Sequence, residues 1–288
     1  MKKVIAFNMI IVVTMLSIIS SCGDDGDKAK DDIFTSCDEN LNATLYNDIG
    51  DGTEAKPYII CTKEQVKDLE NISILDGGYD SYFKLMNNID MTGVTTSEIG
   101  YFSGSFDGNN NTITNLTISR SVSETFDNFG FIGRLSEEGI VKNLCLIDIS
   151  VTLEVSLGVI GGIVGENNGT IDNSCVSGNI NGVGIVYIGG LVGQNDGTIK
   201  NSYSTANVTG TARDVTCSES LVLLSLIEMG GLVGSNNGVI MDSYSTGYVS
   251  NPNEQAACGR TLHIGGFAGE NRNSIVRSYP PVSGNRAV

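Results

Sequence analysis

Five acidic residues of the glycine-rich C-terminal half are the first candidates for chemistry: Glu166, Asp172, Asp196, Asp242 and Glu270. Hydrolysis of a glycosidic bond needs two carboxyl groups that flank the bond. In aligned repeats, Asp172 falls opposite Lys200. Asp196 falls opposite Asn168 and Asn237. No acid has matching acids on both neighbouring repeats, so the alignment does not predict a catalytic carboxylate pair.

Basic residues and the single histidine do not define a catalytic site either. A cation-assisted lyase needs an acid cluster beside a basic side chain, and the repeats offer Lys200, Arg213, Arg260 and Arg277. No group of acids singles one of them out. His263 directly precedes a repeat strand, which favours a solvent-facing strand start over a general base. One histidine cannot form a histidine-rich metal site.

Two short runs resemble ligand loops without completing them. Asp107 to Asn111 begins like a calcium loop, but Thr112 replaces the required glycine and Ile118 replaces the acid at the twelfth position. Gly189 to Thr198 lacks the Gly-Lys-Ser/Thr ending of a phosphate-binding loop. The sequence therefore predicts no catalytic residue, no cofactor and no metal ligand.

The elements that must position any site are repeats. A Gly-Gly-apolar-apolar-Gly run, an Asn turn, an Ile and a Ser-Tyr or Ser-Cys pair recur from Gly161, Gly189, Gly230 and Gly265, with a diverged copy from Phe129. The spacings are 32, 28, 41 and 35 residues between the equivalent glycines Gly130, Gly162, Gly190, Gly231 and Gly266. Such self-similarity is typical of an architecture in which each unit packs on its neighbours.

Aligned repeats give columns of like residues. The first apolar column is Phe131, Ile163, Leu191, Leu232 and Phe267, and the second is Val141, Ile171, Ile199, Ile240 and Ile275. The turn column, whose amides can hydrogen-bond from repeat to repeat, is Asn167, Asn195, Asn236 and Asn271. Flanking glycines are expected to supply positive φ at sharp corners. Stacking at ~4.8 Å predicts an all-β, right-handed parallel β-helix.

The N-terminus predicts where the protein lies. Lys2-Lys3 and the mostly apolar Val4 to Ile19 are typical of a signal peptide. The ending Ile19-Ser20-Ser21-Cys22 resembles a bacterial lipobox. This resemblance implies removal of residues 1–21 and lipidation of Cys22, which tethers a protein to a membrane surface. An ordinary signal peptide and an uncleaved span are the alternatives. The acidic residues 22–36 are expected to form a flexible tether.

Seven cysteines leave six for disulfides if Cys22 is lipidated, and an exported protein lies where disulfides persist. The proposed pairs are Cys37 with Cys61, Cys145 with Cys175, and Cys217 with Cys258. Stacked buried thiols are the alternative for the second pair. Cys145 and Cys175 share a third column with three tyrosines, which fit an exposed ladder or the core; we expect the core for Tyr203, Tyr244 and Tyr279.

Residues 37–128 are predicted to form an N-terminal cap and the first coils, and residues 129–288 the repeats. Thr62 and Gln65 fit a helix capping box. The helix that follows has an apolar stripe: Val66, Leu69 and Ile72. Such a helix is a natural cap, because the end of a solenoid otherwise exposes its strand edges.

Two long insertions interrupt the repeats at residues 210–227 and 250–262. We expect longer coils, or a hairpin joined by Cys217 and Cys258, because an exposed apolar run such as Leu221 to Ile227 would be a liability. A protruding patch for a partner is the alternative, since repeat proteins place insertions on one face.

The net charge disfavours one class of partner. The chain has 17 basic and 33 acidic residues, a formal charge of −16, and loss of Lys2 and Lys3 leaves 15 basic residues and a charge of −18. Such a field repels phosphate backbones, so we expect no nucleic-acid ligand.

The units Gly189 to Thr205 and Gly230 to Thr246 resemble the GLUG motif of bacterial surface proteins. The stretch from Phe106 to Ile118 is similar to the lead-in coils found with it, and the resemblance covers residues 45–283. It implies a β-helical, adhesin-like surface protein; some relatives carry a separate peptidase domain. It supplies no ligand and no catalytic residue.

We therefore expect a non-catalytic, lipid-anchored protein of the outer membrane in the cell envelope, exposed at the surface, which displays a rigid face to an unknown protein or glycan ligand. A carbohydrate-active β-helix enzyme and a structural envelope component are the alternatives. An acid pair across a groove would favour the enzyme, and a flat face with stacked tyrosines would favour binding.

Overall fold

The computed structural model describes residues 37, 42–72, 78–211, 226–252 and 261–278. The chain divides into two units, and these residues all belong to the second, Phe34–Val288. The predicted leader, Cys22 and the acidic tether lie outside the described residues, as do Cys217, Cys258, Arg213 and Arg260. Within the described part, no helix has the length and apolar character needed to cross a membrane.

The first coils carry one α-helix and eight strands. Helix α1 is Lys63–Asp68, and single 3₁₀ turns occupy Leu69–Asn71 and Gly78–Asp80. The strands are β1 Tyr58–Ile60, β2 Tyr82–Leu85, β3 Ile89–Asp90, β4 Thr95–Thr96, β5 Ile99–Phe102, β6 Ser105–Asp107, β7 Thr112–Thr114 and β8 Thr117–Phe129.

The glycine-rich repeats supply the remaining strands. The first nine are β9 Ile132–Leu135, β10 Ile140–Lys142, β11 Cys145–Ile160, β12 Val164–Asn167, β13 Thr170–Asp172, β14 Cys175–Gly189, β15 Val192–Asn195, β16 Thr198–Lys200 and β17 Tyr203–Ser204. The others are β18 Asn207–Thr211, β19 Leu226–Gly230, β20 Val233–Asn236, β21 Val239–Met241, β22 Tyr244–Ser245, β23 Val249–Ser250, β24 Thr261–Gly265, β25 Ala268–Asn271 and β26 Ser274–Val276.

Successive coils stack their strands into three parallel sheets. One sheet has the order β1-β2-β6-β10-β13-β16-β21-β26, and another has the order β5-β9-β12-β15-β20-β25. The third contains the other 12 strands, including the long β8, β11 and β14 side by side. Equivalent residues of successive repeats pair directly, as in Val141 with Ile171 and Ile171 with Ile199. The predicted all-β parallel solenoid with a short N-terminal helix is confirmed.

The two predicted apolar columns form the core of the repeats. Phe131, Ile163, Leu191 and Leu232 are buried and are linked by backbone hydrogen bonds such as Leu191 N–H to Leu232 O. The members of the second column from Val141 to Ile240 are buried in the same way. This column reaches the surface at Ile275, which is 36% exposed. Burial of about 25 cal/mol per Å² of apolar surface makes these columns the main source of stability.

The turn column is a buried asparagine ladder. Asn167 Nδ2 donates to Asn195 Oδ1 at 2.6 Å, Asn195 Nδ2 to Asn236 Oδ1 at 2.7 Å, and Asn236 Nδ2 to Asn271 Oδ1 at 2.7 Å. Asn167, Asn195 and Asn236 are fully buried. The predicted hydrogen bonding from repeat to repeat is therefore confirmed, and it gives each buried side-chain NH₂ group an acceptor; Asn167 Oδ1, at the start of the ladder, has no hydrogen-bond partner among the described residues.

The expectation that the repeat glycines supply positive φ is wrong. None of the glycines in the Gly-Gly-apolar-apolar-Gly runs has φ in the left-handed region. They are required for close approach, because a Cβ on Gly162 would lie 2.6 Å from Gly190 O in the next coil. The left-handed corners are formed instead by Asn143, which precedes Leu144, and by the residue before each corner serine: Asn173, Asn201, Asp242 and Arg277. Asparagine tolerates this conformation better than most residues.

A capping structure covers the first coils, as predicted. Thr62 Oγ1 accepts a hydrogen bond from Gln65 N, and the Gln65 side chain accepts one from Thr62 N, which completes the capping box. Val66 and Leu69 pack into the main core. A disulfide joins Cys37 to Cys61, beside this helix.

The described tyrosines of the third column lie outside the core, so the expected core position of Tyr203 and Tyr244 is wrong. Tyr244 is 40% exposed and stacks on Tyr203 with ring centroids 4.8 Å apart; Tyr279 lies outside the described residues. The neighbouring serines point inward, where Ser202 Oγ donates to Lys200 O and accepts from Ser174 N. Because this inner corner has room only for a small side chain such as Ser202, the tyrosine that follows lies outside the core. In the same column, the predicted Cys145–Cys175 disulfide is confirmed.

Candidate functional site

A concave corner runs along the repeats where the third sheet meets the β5–β25 sheet; we call it the polar corner. One wall is a column of paired residues: Asn128, Val159, Tyr187, Glu228 and His263. The other wall is a second column: Arg134, Glu166, Gln194, Ser235 and Glu270. Side chains from the two walls meet, because Asn128 Nδ2 donates to Glu166 Oε2 at 2.6 Å.

The last glycine of each repeat run makes this corner tight. A Cβ on Gly165 would lie 2.5 Å from Phe129 N, and one on Gly269 would lie 2.4 Å from Met229 N. Both atoms belong to the facing wall. Glycine is needed here because two strands approach at the inner angle, which brings the flanking side chains of both walls together.

The middle of the polar corner is a saturated cluster around Glu166. Arg134 Nη2 lies 3.2 Å from Glu166 Oε1, and Asn168 Nδ2 donates to the same oxygen at 3.1 Å. With Asn128 on Oε2, each carboxylate oxygen has a hydrogen-bond donor or cation. In the next coil, Asp196 likewise accepts from Gln194 and Asn237.

A second charged cluster lies at the N-terminal end. Arg120 Nη2 lies 2.8 Å from Glu98 Oε1, and Arg120 Nη1 lies 3.5 Å from Asp127 Oδ2. Glu98 is almost completely buried, and this burial raises its pKa. Glu98 Oε2 has no hydrogen-bond partner among the described residues.

The C-terminal cluster brings together Glu228, His263, Glu270 and Arg272. His263 Nδ1 lies 3.8 Å from Glu228 Oε1 and 3.5 Å from Glu270 Oε2. Arg272 Nη2 lies 3.2 Å from Glu228 Oε1 and also contacts Glu270. The Glu228 side chain has no exposed surface, whereas Arg272 and His263 are 46% and 40% exposed.

The pKa values of the two carboxyl groups of this cluster shift in opposite directions. Burial, and then the neighbouring Glu270, raises the pKa of Glu228 to about 7. A hydrogen bond with Glu228, followed by the charges of Arg272 and His263, lowers the pKa of Glu270. Glu228 therefore holds a proton to higher pH than Glu270 does, since two adjacent carboxylates resist joint ionisation.

The other candidate acids and bases lie apart on the surface. Asp172 pairs with Lys200, whose Nζ is 3.2 Å away, and Asp242 pairs with Arg277 at 2.7 Å. Asp107 Oδ1 accepts hydrogen bonds from Asn109 N and from Asn143 Nδ2. The Asp107 carboxylate therefore stabilises its own turn and joins it to the next coil. The structure brings none of these acids into one group.

The sequence alignment missed Glu228 and gave His263 too little weight. Glu228 follows an insertion of variable length, so it was not aligned with any other residue. The sequence does place Glu228 in a column, because Tyr187, Glu228 and His263 each lie two positions before the Gly-Gly pair of their repeat. His263 is within β24 and partly exposed, as a surface strand residue would be, but it also faces two carboxyl groups.

A second surface, the tyrosine face, lies on the outside of β17–β18 and β22–β23. It consists of Tyr203, Thr205, Asn207, Tyr244, Thr246 and Tyr248. Tyr248 is 65% exposed, the largest fraction among the exposed large apolar side chains of the described residues. Asn207 Oδ1 accepts from Tyr248 N at 3.3 Å, and Asn207 Nδ2 donates to Asn179 at 3.3 Å, so the face is ordered from coil to coil.

Fold and repeats together define a parallel β-solenoid built from similar glycine-rich units. A sequence model of the GLUG motif matches residues 184–209, from the end of β14 into β18, which confirms the motif there. The chain is 34% identical over 137 residues to a protein of Evansella cellulosilytica provisionally named a Gly-rich membrane protein. It is 33% identical over 122 residues to halomucin of Haloquadratum walsbyi.

These curated relatives are much longer proteins. The matches cover 44% and 39% of this chain but only 15% and 1% of the respective relatives. Among solved structures, the fold is similar to that of a Bacteroides ovatus protein provisionally named an immunoglobulin A1 protease, with a TM-score of 0.56 and 23% identity. The similarity covers 80% of this chain and 68% of that one, and at this identity it concerns the fold.

Proposed function

We propose that this chain is a non-catalytic, lipid-anchored cell-surface solenoid that binds a protein or glycan through its tyrosine face. The observation that carries the proposal is the exposed stack of Tyr203 on Tyr244, with Tyr248 beside it. Tyrosine supplies a large, rigid contact area at low entropic cost, and flanking Asn and Thr supply adaptable hydrogen bonds.

The proposed location rests on the N-terminus and the relatives. The run Ile19-Ser20-Ser21-Cys22 resembles a lipobox, one relative is provisionally named a Gly-rich membrane protein, and another is named halomucin. A lipid-anchored solenoid holds its binding face away from the membrane without a spanning segment.

A carbohydrate-active enzyme is the second candidate, and the Glu228–Glu270 pair favours it. One carboxyl oxygen of each acid and a ring nitrogen of His263 all lie within 4.8 Å of one another, and a glycosidase needs two neighbouring carboxyl groups. Two features oppose it. Glu228 has no exposed surface with which to reach a sugar, and Arg272 contacts both acids. The geometry therefore supports binding better than hydrolysis.

Surface display is tested in bacterial cells expressing the full chain. We expect external proteinase K to remove the wild-type protein from intact cells, and the Cys22→Ala variant to leave the membrane fraction. Wild-type protein that is protected from the protease until the outer membrane is opened would contradict surface display.

Binding is tested on a printed glycan array and a panel of immobilised extracellular matrix proteins. Any probe bound by the wild type should lose about tenfold or more in affinity with Tyr244→Ser combined with Tyr248→Ser. The matched control is Tyr82→Ser, since Tyr82 is 36% exposed on another sheet. Equal losses in both variants would contradict the tyrosine face.

The enzyme alternative is tested with the same protein on a panel of polysaccharides. Release of reducing ends by the wild type that disappears in Glu270→Gln would replace the binding proposal with the hydrolase. We expect no release from either protein.

A further inference from the structure

The C-terminal cluster of the polar corner carries an inference independent of the tyrosine face. Three potential metal ligands converge from three strands: Glu228 from β19, His263 from β24 and Glu270 from β25. Glu228 and His263 are directly paired in the third sheet, and Glu270 reaches them from the other wall. The solenoid register therefore fixes the three donors relative to one another.

Two atoms of the cluster lack the partners that buried polar atoms normally have. Glu228 is fully buried, and its Oε2 has no hydrogen-bond partner among the described residues. His263 Nδ1 also makes no hydrogen bond there, although it faces two carboxyl groups. Buried polar atoms without partners are rare, and each calls for a ligand or another explanation.

The guanidinium of Arg272 supplies a positive charge to the cluster but does not pair with every carboxyl oxygen. Its guanidinium contacts Glu228 Oε1 and Glu270, but it leaves Glu228 Oε2 unpaired. Arg272 lies on the turn after β25 and is 46% exposed, so its side chain can turn into solvent without moving a strand. Its other contacts, to Ser235 and Asn237, are long at 3.4 Å.

We propose that Glu228, His263 and Glu270 bind a divalent transition-metal ion of the Zn²⁺ class, with Arg272 as the countercharge that the ion displaces. One imidazole and two carboxylates are the donors that Zn²⁺ accepts in four-coordinate sites, with water completing the shell. Ca²⁺ fits less well, because it takes six to eight oxygen ligands. Two positive charges on one small ion match the two carboxylates better than one guanidinium does.

The same corner contains a natural control three coils away in the column of Glu270. Glu166 stands in the column of Glu270 and also has an arginine, Arg134, beside it. No histidine faces it, and its oxygens are taken by Arg134, Asn128 and Asn168. Glu166→Gln therefore removes an equivalent charge without touching the proposed ligands.

The test is titration of untagged mature protein with ZnCl₂ at about pH 7.5, followed by calorimetry and by NMR of the imidazole. The chain has one histidine, so a single imidazole signal reports on His263 in the wild type. We expect one ion per chain, a shifted imidazole signal, and affinity at least about tenfold weaker in His263→Ala and Glu228→Gln. Arg272→Ala should bind about tenfold more tightly, and Glu166→Gln should match the wild type.

Absence of one-to-one binding in the wild type would overturn the proposal, as would binding that is retained in His263→Ala. Folding of each variant is checked by circular dichroism. Glu228→Gln keeps the shape of a buried side chain, and His263 is partly exposed, so neither change removes core packing. The imidazole signal of the wild type gives the answer even if a variant fails to fold.

Discussion

The buried asparagine ladder and the polar corner are both polar columns of the same repeats, yet they differ in uniformity. Inside, Asn167, Asn195 and Asn236 repeat one residue and one hydrogen bond from coil to coil. In the corner, corresponding positions hold Glu166, Gln194, Ser235 and Glu270, and each cluster has different partners. The buried ladder repeats one residue because each amide NH₂ group needs the oxygen of the next amide, whereas in the polar corner each coil uses a different set of partners.

The asparagine ladder therefore stabilises the fold, whereas the polar corner can vary and is open to ligand binding. Substitutions in the inner ladder should affect unfolding most, and substitutions in the corner should change local electrostatics with smaller effects on the fold.

Asn195→Ala should destabilise the protein by about 2–4 kcal/mol, because it leaves Asn167 Nδ2 without an acceptor and Asn236 Oδ1 without a donor. The free energy of unfolding in guanidinium chloride measures the loss. Asn271→Ala, at the exposed end of the ladder, should lose less than about 1 kcal/mol. Equal losses would mean that burial does not set the value of the ladder.

Gly165→Ala should destabilise by about 1–3 kcal/mol, because the added methyl group meets backbone atoms of the facing wall at 2.5 Å. Gly100 stands at the same column position in the first coil and has nothing within 4 Å of its added Cβ. Gly100→Ala should therefore stay within about 0.5 kcal/mol of the wild type. Thermal unfolding of the two variants compares them, and similar midpoints would refute the steric role of Gly165.

Glu98→Gln should flatten the dependence of stability on pH. Burial raises the pKa of Glu98 above that of the unfolded chain, so the folded state binds the extra proton. The resulting stability is fully present below the unfolded pKa and is lost as pH rises through the folded pKa. The free energy of unfolding, measured by chemical denaturation, should fall more between about pH 4 and about pH 7 in the wild type than in Glu98→Gln. Parallel losses would contradict this account.

Asn115→Ala should raise the pKa of Asp90; Asn115 and the control residue Asn201 both have a left-handed backbone, so the strain of alanine is matched between the two variants. Hydrogen bonds from the side chains of Asn115 and Thr92 lower the pKa of Asp90 to about 2. Because the folded pKa is depressed, the associated stability exists above the unfolded pKa and is lost as pH falls toward about 2. An NMR titration of the Asp90 carboxyl carbon measures the shift, and Asn201→Ala, which is bonded to Asp172, serves as the control.

The sequence was sufficient for features fixed by one repeat's spacing. The apolar columns, the asparagine ladder and the capping box of Thr62 and Gln65 each depend on residues at constant offsets, and each lies where predicted. Features that depend on the space between coils were not predictable in this way. Gly162 is required because Gly190 of the next coil lies close to it, and the sequence of one repeat does not reveal the distance between two coils.

Two errors about side chains have the same origin. Tyr203 was expected in the core, but the adjacent corner accommodates only Ser202, whose hydroxyl donates a hydrogen bond to the backbone. Glu228 was missed because the insertion before it shifts the alignment. Its importance arises from His263 in the next coil and Glu270 on the opposite wall, which are 35 and 42 residues away in the chain.

The disulfide between Cys145 and Cys175 joins two successive coils across 30 residues of chain. If the two ends of the solenoid are pulled apart, coils peel off one at a time, but the segment between these cysteines cannot extend. About 100 Å of chain length stays hidden under load, given ~3.4 Å per extended residue. Force spectroscopy should therefore show a contour length that grows by this amount when the bond is reduced, which makes this covalent link a mechanical stop within the array.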